Sequence, residues 1–267
     1  MTEIVGLFRY PLKSARGESV QAVRVEENGL SGDRVWACLD PDDGTVASLK
    51  HPGRWGALLR VEVATVGGEV VLRVDGEPAV AGSAKADALL SSLVGRPVRL
   101  SRTGRPGARL HRRVPDEAGL IPDWMRHAAP GDDLVTTLDG PAFGGRFFDA
   151  APVHLVSTGR LAALARQLGR DSVPVSRFRP NLVIDAADDP APGTMLRVGD
   201  AVLAVTVPTP RCVVPGLGEG QVDRPLLKTL AAHRQEIRGL GRAACFGSYA
   251  HVLGGGELRV GQAVQVA

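Results

Sequence analysis

Short runs of valine and leucine, broken at close intervals by glycine, proline, asparagine and aspartate, set the pattern of the N-terminal part of the chain. Segments 4–8 (IVGLF), 20–25 (VQAVRV), 34–39 (RVWACL), 58–65 (LLRVEVAT), 69–74 (EVVLRV) and 97–101 (PVRLS) are predicted strands. Each is short and rich in residues that suit a pleated, half-buried surface. Segment 83–94 (SAKADALLSSLV) instead spaces its apolar residues as a helix does, with Gly95 as its stop. Several short strands in series predict a small barrel.

Residues 102–146 break this pattern. Proline and glycine recur and no period holds, so the stretch is predicted to be irregular and to separate two parts of the chain. The two parts are expected over residues 1–115 and 116–267. The second opens with a strand at 153–157 (VHLVS), followed at once by a helix in which Leu161, Leu164 and Leu168 share one face. Ser157 or Thr158 can cap that helix and Gly169 can end it. Strands are predicted at 181–185, 195–207, 246–253 and 257–266, and a helix at 224–236. The pieces LRVGDAV and LRVGQAV echo each other as two similar strand–turn–strand corners.

Composition narrows the function classes. The net charge of +3 is too small to argue for nucleic acid, and aromatic residues make up only 4% of the chain. The three cysteines, Cys38, Cys212 and Cys245, are widely spaced and odd in number, which suggests neither a disulfide framework nor a CxxC metal site. The N-terminal MTEIVGLFRYPLKS carries no long apolar stretch, so neither a signal peptide nor a membrane anchor is expected, and a cytoplasmic location is. There is no GxxxxGK[ST], HExxH or GxSxG, and GLGEG (216–220) reads as a loop rather than a nucleotide-binding turn.

A few segments carry chemistry. In PTPRCVVP (208–215) two prolines stiffen a strand end that presents Arg211 and Cys212. A neighbouring guanidinium favours the thiolate, the form that binds soft metals; the alternative is a buried, inert cysteine. In YPLKSARGE (10–18), Lys13 and Ser14 can hold a phosphate by charge and hydroxyl, or form a solvated turn. Arg34 in GDRVW either meets an anion or pairs with Asp33. Arg177 and Arg179 of RFRPN, alternate residues of an extended segment, form either an anion clamp or a surface basic patch. Ser157 and Thr158 open a helix whose free N–H groups suit phosphate, a role compatible with simple capping.

Taken in order, YPLKSARGE, GLSGDRVWACLD, FDAAPVHLVST, RFRPNLVID, PTPRC, DRPLLKTLAAHR, FGSYAHVL and the closing LRVGQAV resemble the MOSC family with its N-terminal β-barrel companion. This is the architecture of the mitochondrial amidoxime-reducing component and its bacterial relatives. The resemblance implies a mostly β fold with minor α, a small N-terminal β-barrel packed on a C-terminal MOSC-type β-barrel with a few helices, and a cofactor cleft between them. It also implies a molybdenum cofactor (Mo-molybdopterin), with Cys212 as the catalytic protein ligand to the metal. Lys13, Ser14, Arg34, Ser157, Thr158, Arg179 and Arg211 match positions that hold the pterin and its phosphate, and Tyr249 matches a further cofactor contact. Cys38 and Cys245 match no ligand position and read as core residues. Pro210 stands where some relatives have serine, so a side-chain contact is lost there.

The activity implied is that of an oxidoreductase reducing small N-hydroxylated or N-oxide compounds. The chain carries no iron–sulfur cysteine pattern and no nucleotide-binding glycine motif, so a separate electron-donor protein is expected, and neither nucleic acid nor membrane. The alternative is a sulfur- or molybdenum-cofactor-carrier module without reductase turnover, and a third reading is a binding protein.

Overall fold

The computed structural model describes residues 2–138, 144–218 and 221–266. They are mostly β, with helices at Pro52–Trp55, Ala84–Val94, Thr158–Gln167 and Arg224–Ala232. The largest sheet is a nine-stranded array. Its path runs from Gln265–Val266 through Met195–Val198, Ala201–Pro210, Gly241–Gly254, Val153–Ser157, Leu182–Ile184 and Ile4–Arg9 to Glu18–Ser19, with Arg234–Ile237 branching from Gly241–Gly254. Among the described residues this path is open rather than closed on itself. No helix of the described residues is long and apolar enough to cross a membrane.

Every neighbouring pair in that path is antiparallel except Val153–Ser157 with Leu182–Ile184. A parallel pair needs a crossover connection, and the helix Thr158–Gln167 supplies it. All five residues of Val153–Ser157 are buried, as expected of a strand with neighbours on both edges and cover on both faces. The first strand of the chain pairs with Leu182–Ile184, and Gly256–Arg259 pairs with Ala22–Glu26. Backbone hydrogen bonding therefore joins the two ends of the chain.

One core lies along the large sheet (Leu7, Leu155, Leu182 and Leu203 among others). A second lies beneath the meander Glu62–Val66, Glu69–Val74, Glu77–Val80 and the helix Ala84–Val94, around Trp55, Leu58, Leu72 and Leu90. A third packs the helices Thr158–Gln167 and Arg224–Ala232 on Phe178 and Phe246. Cys38 and Cys245 sit fully buried in cores, where burial pushes their thiols up to about 12 and about 11. The helix signals hold where capping is explicit: Ser83 accepts from the Ala86 amide, and Gly95 closes the helix in the left-handed conformation.

Three expectations change. The predicted strand at 58–65 begins as a 3-10 turn, Gly56–Arg60, and becomes a strand at Glu62–Val66. The predicted helix 224–236 stops at Ala232, and Arg234–Ile237 is a strand paired with Gly241–Gly254. An antiparallel edge outweighs the helical pattern of HRQE there. The stretch 102–146 contains a regular hairpin, Arg109–Arg113 with Asp133–Thr137; its long connection hides it from short-range turn signals. The echo LRVGDAV/LRVGQAV does give two corners, and they meet, since Leu196 pairs with Val266.

Asn181 ties three segments at one buried point. Its Nδ2 donates to the Phe8 carbonyl at 3.3 Å, and its Oδ1 accepts from the His154 amide at 3.1 Å and from Arg34 at 3.4 Å. Asn181→Ala leaves these groups unpaired in a site only 1% exposed. A loss of about 2 kcal/mol of unfolding free energy is expected, read by urea denaturation with an unchanged slope.

Candidate functional site

A cavity of about 340 Å³ opens where the start of the chain, the hairpin Arg109–Arg113/Asp133–Thr137 and the end of the strand Ala201–Pro210 converge. Its wall contains Lys13, Ser14, Arg34, Arg179, Arg211, Cys212 and Tyr249, residues separated by most of the chain's length. Lys50, Arg112, Arg113 and Arg177 add further positive charge, and among the described residues Asp149 is the one carboxylate of the lining. Leu120, Pro122, Trp124, Met125 and Leu240 form an apolar flank. The volume suits a small-molecule site.

Backbone strain gathers here. Among the described residues four non-glycine residues have positive φ: Ser14 (72°), Arg34 (48°), Arg179 (55°) and Asp75 (48°). Asp75 belongs to an exposed turn between strands, and the other three line the cavity. Residues held in this region cost free energy and persist only where surrounding contacts over-determine them. For Arg34 and Arg179 those contacts are visible. Their guanidinium carbons lie 4.9 and 4.4 Å from the centre of the buried Tyr10 ring. Arg34 pairs with Asp33 and donates to the Arg179 carbonyl at 3.3 Å. Arg179 donates to the Ala15 carbonyl at 2.6 Å. Burial draws the Arg179 guanidinium down to about 10, so it stays charged at neutral pH. Arg177 ends a 3-10 turn, Val175–Arg177, rather than an extended clamp; it donates to the Pro215 carbonyl at 2.9 Å and faces Asp223 at 3.6 Å.

Lys13 donates to the Phe147 carbonyl at 2.9 Å and to Asp149 at 2.7 Å, and Lys50 reaches the same carboxylate oxygen at 2.9 Å. Burial pulls Lys13 down to about 8 although Asp149 opposes the shift. Asp149 is buried too, yet the two ammonium groups hold it well below the usual carboxylate range.

The strand Ala201–Pro210 runs three residues beyond the expected end at Val207, with register slips at Val205/Val207 and Pro208/Pro210. Such bulges re-aim the residues that follow. The Arg211 amide donates to the Ala244 carbonyl at 2.7 Å, and Cys212 comes next, before the turn Val214–Gly216. Of the three cysteines it alone is not fully buried. The Arg211 guanidinium is fixed by the carbonyls of Phe246 (2.8 Å) and Phe178 (3.2 Å) and by His154 Nε2. Burial, reinforced by Arg211, holds His154 well below the usual imidazole range, so the ring is neutral. Its Nε2 then accepts from Arg211 and its Nδ1–H donates to the Arg179 carbonyl at 3.4 Å. Gly247, with φ of 80°, passes so close that a Cβ would collide with His154 Nε2.

Ser157 and Thr158 do not line this cavity. Ser157 caps its helix through the Arg160 amide, and its own hydroxyl and amide donate to Asp189 at 3.0 and 2.8 Å. Thr158 donates to Asp185 at 2.9 Å. Carboxylates thus already occupy the helix start where a phosphate was expected. Conversely, Tyr10, Lys50, Asp149 and His154 belong to the cavity or its supports without having been singled out. A histidine inside the otherwise apolar VHLVS was the available signal for His154.

Among the described residues no group of three or more His, Cys, Asp or Glu side chains could hold a metal ion. No curated protein matches the chain. Among solved structures, the YuaD protein from Bacillus subtilis is 11% identical with a TM-score of 0.47, over 100% of this chain and 96% of that one. YiiM from Geobacillus stearothermophilus is 17% identical with a TM-score of 0.33, over 44% of this chain and 54% of that one. The family model for the MOSC N-terminal beta barrel domain matches residues 1–104, and that for the MOSC domain matches residues 142–265. These two matches follow one another along most of the sequence, and the chain belongs to the MOSC family.

Proposed function

We propose that this protein is an oxidoreductase that binds a molybdenum cofactor and reduces small N-hydroxylated or N-oxide compounds, with electrons from a separate donor protein. The MOSC family is associated with molybdenum-cofactor binding. The observation that carries the reading is the meeting of Cys212 with eight cationic side chains and a single carboxylate in one cavity. The residues suit the group in two ways. The excess of positive charge calls for a multiply anionic ligand. Among the described residues Cys212 is a lone soft donor with no ligand cluster around it, so a metal bound there would bring most of its own ligands, as a molybdopterin does.

In this reading Cys212 supplies the protein thiolate, and Lys13, Ser14, Arg34 and Arg179 hold the pterin and its phosphate. Arg211, engaged with two carbonyls and His154, stiffens the turn that presents Cys212. Tyr249, which burial pushes up to about 12, keeps its hydroxyl proton and can donate a hydrogen bond into the cavity. When bound, the cofactor supplies two-electron oxygen-transfer chemistry, and the protein supplies position and electrostatics. The β-barrel form of both parts, the division at residues 115/116 and a cytoplasmic location belong to the same proposal.

The test is to express the protein in a cofactor-replete host and measure molybdenum and pterin per chain, then turnover of an amidoxime with reduced viologen dye. Stoichiometric cofactor and turnover with the dye, but none with NADH alone, are expected. Cys212→Ala should abolish turnover while leaving the thermal midpoint nearly unchanged; full activity in that variant removes the ligand assignment. Persulfide on Cys212 and no turnover in molybdenum-loaded protein would favour the carrier reading.

Arg34 and Arg179 give a second measurement. Charge-assisted contacts are worth roughly 1.5–3 kcal/mol each. The double alanine variant should therefore retain at least about ten-fold less pterin after gel filtration. Unchanged retention would reduce the clamp to a basic patch.

Lys13 gives a pH dependence. An anion favours the charged form of Lys13, whose free-state value is about 8. Binding is therefore strongest below pH 8 and weakens as pH rises through it, by roughly ten-fold between pH 7 and 9. Calorimetric titration of the cofactor-free protein with phosphate reads this slope, and Lys13→Met should flatten it.

A further inference from the structure

The hairpin that closes one side of the cavity carries two polar atoms with no hydrogen-bond partner among the described residues. In its register Arg112 pairs with Leu134 and Leu110 with Thr136. Directly opposed residues share a face and alternate residues along a strand return to it, so Leu110, Arg112, Leu134 and Thr136 lie on one face. Leu110 is fully buried, which makes that face the inward one. Arg112 Nε and Thr136 Oγ1 are both shielded from solvent without a hydrogen-bond partner among the described residues, and both residues line the cavity.

The contrast with the other arginines is informative. Arg34, Arg177, Arg179 and Arg211 are each anchored on carbonyls or a carboxylate. Arg113, next to Arg112, pairs with the exposed Asp116 at 3.7 Å. Arg112 alone of this set is held by no acceptor. A buried polar group without a partner is costly, and one aimed into a polar cavity is satisfied by a ligand. Lys50 stands in the same lining, backed by Asp149 at 2.9 Å. A guanidinium, a hydroxyl and an ammonium together recognise oxyanions and reject neutral or cationic groups.

We infer that Arg112, Thr136 and Lys50 form an anion subsite within the cavity that takes a carboxylate- or phosphate-type group, adjoining the set Lys13, Ser14, Arg34 and Arg179 through the Asp149 oxygen that Lys50 and Lys13 share. The inference rests on the proposed function only for the source of that group. It is either an anionic substituent of the incoming substrate or a phosphate of the cofactor itself. In the first case the enzyme prefers N-oxygenated substrates that carry an acid group remote from the reacting nitrogen.

The experiment compares wild type, Arg112→Gln, Thr136→Val and, as a control, the exposed Arg73→Gln, all purified from the cofactor-replete host. Pterin content per chain and the affinity for inorganic phosphate by calorimetry are read on each. If the subsite serves a substrate, Arg112→Gln leaves pterin content unchanged and weakens phosphate binding at least about ten-fold, with a smaller loss in Thr136→Val and none in Arg73→Gln. If it serves the cofactor, pterin content falls in Arg112→Gln instead. Because the Arg112 guanidinium has no partner to lose among the described residues, the thermal midpoint of Arg112→Gln should be unchanged or raised. Unchanged pterin content together with unchanged phosphate affinity in Arg112→Gln overturns the inference. A chain that carries no pterin in any variant defeats the proposed function, and phosphate affinity alone then decides the subsite.

Discussion

Like charges crowded into a small, partly dry space repel one another, and the structure around the cavity is organised by that constraint. Eight cationic side chains and one carboxylate share the lining. In a medium of low effective dielectric such a set is tolerated only if most of the charges meet compensating negative density. Asp149 serves two ammonium groups at once, Asp33 serves Arg34, and the Tyr10 ring meets both Arg34 and Arg179. Backbone carbonyls do the rest: Phe147 for Lys13, Ala15 for Arg179, Pro215 for Arg177, Phe178 and Phe246 for Arg211. Burial pulls Lys13 and Arg179 down in spite of these partners.

Turning so many carbonyls toward one point has a conformational consequence. Peptide planes must be rotated out of regular strand geometry, and the positive φ angles of Ser14, Arg34 and Arg179 are where this happens. The strain is tolerable because the segments are anchored nearby in regular structure. Asn181 binds the Phe8 carbonyl and the His154 amide, and the long strand Gly241–Gly254 pairs on both edges. Neutral His154 links the two arms by accepting from Arg211 and donating to the Arg179 carbonyl, so the cationic arm and the cysteine turn are positioned together.

Much of the lining of the candidate cavity was legible in the sequence because its residues sit at element ends, where proline, glycine and charge cluster. YPLKS, RFRPN and PTPRC all deliver residues to the cavity. What escaped notice lacked such punctuation. Tyr10 and His154 act through burial, which a sequence does not display, and Lys50 and Asp149 gain meaning only as a pair. Ser157 and Thr158 went the other way: a helix start is a generic anion site, but Asp189 and Asp185, distant in sequence, already accept their hydrogen bonds.

Local pattern determined most of the elements, since alternation, capping residues and turn formers act over a few residues. The strands Ile4–Arg9 and Glu69–Val74 and the capped helices Ala84–Val94 and Thr158–Gln167 follow directly from it. Ordered motifs along the chain likewise determined the family. Tertiary structure decided the rest. It turned Arg234–Ile237 into a strand, because Gly241–Gly254 offers an edge that a helix end cannot match, and it built a hairpin across a connection too long for local signals. It also decided which cations share a cavity and which one, Arg112, is left without an acceptor. Those outcomes depend on pairings between residues far apart in the chain, and no local preference encodes a partner's distance.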